Sequence, residues 1–145
     1  MVNNTFIKFI YLSAAFATIT LSLIFPSAAL ATQRVGCFSS GEINVKFVQI
    51  TQDGLDMAYV KYQKSKQAIP LLFIKQTEEE FPEGRPSAFT TEWDEVLKSK
   101  INGRYTVMTQ GARYYQFDYK SSTGLVVRFK ENLNAYDSIR HDCQW

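Results

Sequence analysis

Histidine is nearly missing from this chain of 145 residues: His141 stands alone. Cysteine is almost as scarce, with Cys37 and Cys143 the only two. These scarcities remove much of the usual side-chain chemistry. A serine or cysteine nucleophile needs a base beside it, no Gly-x-Ser-x-Gly elbow occurs, and His141 reads as an exposed polar residue. Zinc needs three or four His and Cys ligands, so no metal site and no cofactor is expected. An excess of charge of either sign is lacking too. With 16 basic and 14 acidic side chains the formal net charge is +2, and so near-neutral a chain has no long-range field to collect nucleic acid or an anionic membrane. Mixtures such as Tyr59, Lys61 and Tyr62 lack the basic groove of a single-strand binder. Internal repeats and low-complexity tracts are also missing.

What is present begins with an export pattern. Lys8 is the only charged side chain ahead of an apolar stretch over residues 9–25, Pro26 then breaks it, and Ala29-Leu30-Ala31 has the small-x-small form of a cleavage site. Residues 1–31 therefore read as a signal peptide, with residues 32–145 as one secreted domain of ordinary size. A retained membrane anchor is the rival reading, but the apolar run falls short of the roughly 20 residues that span a bilayer. No integral membrane segment is expected after cleavage. The expected compartment is the periplasm or the exterior, where cysteines oxidise. Val35-Gly36-Cys37 leaves open acylation of Cys37 as in a lipoprotein, although Arg34 stands where that pattern has a leucine-like residue. A Cys37–Cys143 disulfide uses both thiols. It would close a loop of roughly a hundred residues and contribute about 4–5 kcal/mol in the chain-entropy model.

Period-two alternation runs through the exported part. Ile43, Val45 and Phe47 alternate with Asn44 and Lys46, and Asp53-Gly54 supplies a hairpin turn before a strand over 57–62. A strand over 69–74 begins at Pro70 or lies on an edge. Residues 76–91, with Glu78, Glu79, Glu80 and Glu83 among Pro82, Gly84 and Pro86, read as a solvated surface excursion. The stretch 92–101 is ambiguous between a helix and a strand. The preferred reading is an extended segment from about Val96, entered by one helical turn and paired through an Asn102-Gly103 turn with a strand over 104–109. Arg113, Tyr115, Phe117 and Tyr119 alternate with Tyr114, Gln116, Asp118 and Lys120. A turn over 121–124 then leads to alternating Leu125, Val127 and Phe129. About seven strands with one short helix predict a mainly β fold, a small antiparallel barrel or sandwich, with the disulfide joining its two ends.

Paired carboxylates could still cleave glycosides without histidine or metal. The candidates are Glu78 to Glu80, Glu92, Asp94, Glu95 and Asp118. Most lie in or beside loops, and no constellation of them converges in the sequence, so a non-enzyme is expected.

Gly111-Ala112-Arg113-Tyr114 resembles a segment of the periplasmic and membrane-bound inhibitors of C-type lysozyme, which carry Ser-Gly-Ala-Arg-Tyr in a small β-barrel. Their barrel is commonly stapled by an early and a very late cysteine. Here Cys37 precedes the strand of Ile43, Val45 and Phe47, and Cys143-Gln144 follows the aromatic strand by about a hairpin and a strand. The resemblance covers about a third of the exported chain. It implies a non-catalytic protein whose loop enters the cleft of a cell-wall-degrading enzyme, with Gln110, Gly111, Ala112, Arg113, Tyr114 and Lys120 as the partner-binding residues. The chain departs from the pattern at Gln110, which replaces the serine, and lacks the family's Lys-Gly-Asp-Glu segment. Its middle, residues 65–100, is longer. Two other expectations stand beside this one: an immunity protein that neutralises a delivered toxin, docking through the acidic stretch 76–91, and a small envelope hydrolase.

Overall fold

A computed structural model describes residues 30–82 and 84–145. The expected leader lies outside the described residues, except for Leu30 and Ala31. Eight strands follow one another: β1 (Thr32–Ser40), β2 (Ile43–Gln52), β3 (Leu55–Tyr62), β4 (Ile69–Glu79), β5 (Ala88–Leu97), β6 (Lys100–Gln110), β7 (Arg113–Ser121) and β8 (Val126–Glu131). Each pairs antiparallel with its sequence neighbour, and β1 pairs with β8, so the sheet closes into an up-and-down barrel. A 3-10 turn, Leu133–Ala135, leads to a small ribbon of β9 (Tyr136–Asp137) and β10 (Asp142–Cys143). No described helix is long and apolar enough to cross a membrane.

An eight-stranded barrel has an interior just wide enough for side chains to fill. Aromatic rings do most of the filling here. Phe38, Phe47, Trp93, Tyr105 and Phe117 are essentially inaccessible to solvent, with Val45 and Val60 between them. Phe38 and Phe117 stack with centroids 4.2 Å apart, and Tyr105 lies 5.4 Å from Phe117. Two inward glycines make room for this load. A Cβ on Gly103 would meet the Tyr119 ring at 2.5 Å, and one on Gly36 would run into the rings of Phe38 and Tyr114.

The seam between β1 and β8 is short, with only Phe38 opposite Glu131 and Ser39 opposite Lys130. The C-terminal segment extends it. Asn132 N–H donates to Cys37 O at 2.7 Å, Cys37 N–H donates to the Tyr136 hydroxyl at 3.2 Å, and that hydroxyl donates to Glu131 at 2.8 Å. The Cys37–Cys143 disulfide then fastens the ribbon to β1, as both thiols required. Cys37 shares the outer face with Lys46, its partner on β2, and Lys46 forms an ion pair with Asp142 at 2.7 Å. Burial pushes the Asp142 carboxyl up, but the Lys46 and backbone hydrogen bonds outweigh it and hold the group below the usual range.

Three local expectations fail. Asn102-Gly103 is not a turn: it lies inside β6, and the β5–β6 turn is Lys98-Ser99, whose φ of 50° and 61° are both positive, as in a type I′ hairpin. A bulge at Glu95/Val96 absorbs the changed register. No helical turn precedes Val96, because β5 is strand throughout, and the described helical structure is the 3-10 turn alone. The stretch 76–91 is half sheet. Gln76 pairs with Thr91, Thr77 with Thr90, Glu78 with Phe89 and Glu79 with Ala88, so that the excursion narrows to residues 80–87. The eighth strand is β1, which lacks the alternation of β2, β3, β7 and β8.

Candidate functional site

The β6–β7 turn carries four of the six expected partner-binding residues at its tip. Gln110 and Arg113 face each other across Gly111-Ala112. Gly111 takes φ of 57°, and a positive φ at the first central residue of a two-residue hairpin is the place that favours glycine. The turn is pinned from two sides. Arg34 donates from Nη2 to Gly111 O at 3.1 Å, and Gln110 Nε2 donates to Pro86 O at 2.9 Å.

Tyr114 does a different job from its neighbours. Its ring is buried, 5.2 Å from Phe38 in an edge-on contact, and the Arg34 guanidinium lies 4.7 Å above it. The hydroxyl has no hydrogen-bond partner among the described residues, and burial pushes its pKa up. Tyr114 therefore anchors the turn and leaves contact to others. Arg113 points the other way, with 60% of its side chain exposed. Its nearest acid is Glu131, at 3.4 Å from Nε, a long contact for a charge-assisted bond. Most of that fork of donors is open.

Lys120 is not part of this surface. It lies at the opposite end of β7, about 23 Å from Arg113 by the rise of a strand. There it pairs with Arg104 on β6 and lines a shallow groove with Glu92, Asp94 and Ser121. His141 sits in the β9–β10 turn, exposed and at φ of 51°.

Sequence reasoning missed two polar clusters. The first is inside the barrel. Glu95, 3% exposed, accepts from Tyr105 at 3.0 Å, from Asn102 Nδ2 at 2.7 Å and from Tyr119 at 3.3 Å. The Tyr62 hydroxyl is 2.7 Å from that of Tyr105. Burial first, and then the Glu95 charge, push Tyr119 up to about 12 and raise Tyr62 as well; Tyr105 rises through burial, Tyr62 and Glu95. The second cluster is outside, where Arg104 clamps Asp94 through two nitrogens at 2.6 and 3.2 Å and reaches Glu92 at 2.8 Å, with Lys75 on the other side of Glu92 at 3.0 Å. The Asp94 hydrogen bond raises the Arg104 pKa. The sequence did hold a signal for Glu95, since Thr91, Trp93 and Glu95 fall on one face of a strand.

These carboxylates are each held in ion pairs or hydrogen bonds. Glu92 and Asp94 share one guanidinium, that of Arg104. Glu95 faces the interior, away from both. No group of three or more His, Cys, Asp or Glu side chains able to hold a metal occurs among the described residues.

Fold and turn together define a small antiparallel barrel, filled by its own side chains and displaying a pinned hairpin with a mostly exposed arginine. No protein-family model matches the chain, and no curated protein or solved structure matches it.

Proposed function

We propose that this chain is a non-catalytic binding protein of the cell envelope that inhibits a cell-wall-degrading enzyme of the C-type lysozyme kind. The observation that carries this reading is Arg113: a guanidinium mostly in solvent, on a turn held at Gly111 by Arg34 and at Gln110 by Pro86. Preorganisation of that sort lowers the ordering cost of binding. A planar fork of donors also suits the catalytic carboxylates such an enzyme keeps in its cleft. Gln110, Gly111 and Ala112 would line the contact and Tyr114 would hold it from beneath. Lys120 drops out, because one cleft would have to span the barrel to meet both ends of β7.

Purified protein should slow lysis of bacterial cell walls by C-type lysozyme. Arg113→Ala should weaken that inhibition at least tenfold while leaving the circular dichroism spectrum unchanged, since an exposed ion pair contributes little to stability. Absence of inhibition at micromolar concentration would sink the reading.

A further inference from the structure

The barrel is not sealed evenly. β3 and β4 pair only through Ala58–Leu71, Tyr59–Pro70 and Val60–Ile69. Beyond Leu71 the two strands part, while β4 continues to Glu79 against β5. Over residues 72–79 no described segment pairs with β4 on the side away from β5, so about 26 Å of strand edge is left open, by the rise per residue. Natural sheets guard such edges with charge in mid-strand. The one mid-strand cation here, Lys75, is drawn toward β5 by Glu92. Its neighbours are three consecutive large apolar residues in contact with solvent: Leu72 (54% exposed), Phe73 (39%) and Ile74 (37%). Leu55 and Met57 stand exposed on β3, across the gap. At the far end Glu78, Glu79 and Glu80 are exposed and form no ion pair among the described residues.

From this we infer that the free edge of β4 receives an extended segment of a partner protein, which adds to the sheet as an antiparallel strand. Backbone groups of residues 72–79 supply the hydrogen bonds, and alternating side chains give selectivity, as in other strand additions. Charge fixes the direction. An antiparallel strand begins opposite Glu79 and ends opposite Leu72, so it carries lysine or arginine in its N-terminal half and apolar residues in its C-terminal half. A second copy of β4 fits poorly, since its acids would face either acids or this apolar patch for most registers. The surface is separate from the Arg113 turn, and the two readings can fail independently.

The probe is a capped ten-residue peptide of alternating valine and threonine with three lysines near its N-terminus, titrated by calorimetry against the exported protein. One-to-one binding is expected. It should weaken at least tenfold when alternate peptide amides are N-methylated, and likewise in the Glu78→Lys, Glu79→Lys double variant. Nuclear magnetic resonance shifts should cluster on residues 72–79, and Arg113→Ala should leave the affinity unchanged. Three results would overturn the proposal. One is absence of binding at millimolar peptide. Another is binding indifferent to N-methylation or charge reversal. The third is slow exchange, in the peptide-free protein, of those amides of residues 72–79 that point away from β5, meaning that a second copy or another part of this chain already covers the edge.

Discussion

Glu95 and its tyrosines make the interior sensitive to alkali. Tyr119, pushed up to about 12, keeps its proton in the fold at pH values where an unfolded tyrosine, near 10, has lost it. Between those values the unfolded chain binds fewer protons, so stability falls as pH rises. The stabilisation is complete below about pH 10 and is lost as pH climbs through about 12. Tyr62 and Tyr105 act in the same direction. Chemical denaturation monitored by circular dichroism should show a falling midpoint above pH 10, accompanied by tyrosinate absorbance, and Tyr119→Phe should flatten the slope. A midpoint constant from pH 9 to 11.5 would remove the coupling. At the turn, Arg113 was singled out from a four-residue pattern, and the structure sets it exposed beside Gly111-Ala112. Arg34, which pins the turn, was not, because the two lie on strands distant in sequence and only barrel closure brings them together.

At the scale of elements, the strands with one wet face were readable and the others were not. β2, β3, β7 and β8 alternate because one face meets the core and the other meets water. β1 does not, since the C-terminal ribbon covers its outer face: Cys37 points outward yet is fully buried. The far half of β4 was hidden for the opposite reason, being polar and solvated on both faces. Asn102-Gly103 misled because tertiary contacts outrank turn propensity there. Asn102 donates to Glu95, and Gly103 is the space under the Tyr119 ring. Gly103→Ala should therefore cost about 1–3 kcal/mol, the usual penalty of overpacking. In a Tyr119→Ala background the added methyl has room, and its cost should largely disappear in a double-mutant cycle of unfolding free energies. Equal costs in both backgrounds would show that the ring does not set the requirement.

For the whole molecule, the barrel class and the disulfide were legible, but the number of strands and the weak seam were not. Two residue pairs join β1 to β8, so the ribbon and its bridge carry much of the closure. Reducing Cys37–Cys143 should lower stability by about 4–5 kcal/mol in the chain-entropy model, read as a shift in the denaturant midpoint with and without a thiol reductant. An unchanged midpoint would mean that hydrogen bonds of residues 132–136 suffice. The same seam sets a timetable. Every strand from β2 to β8 pairs with the one before it, so a chain emerging amino end first can zip hairpin by hairpin. Cys143 lies beyond all eight strands, and until it arrives Cys37 is a lone thiol on an unfinished edge. That interval is when Cys37 is open to a wrong partner, and only the last residues of the chain end it.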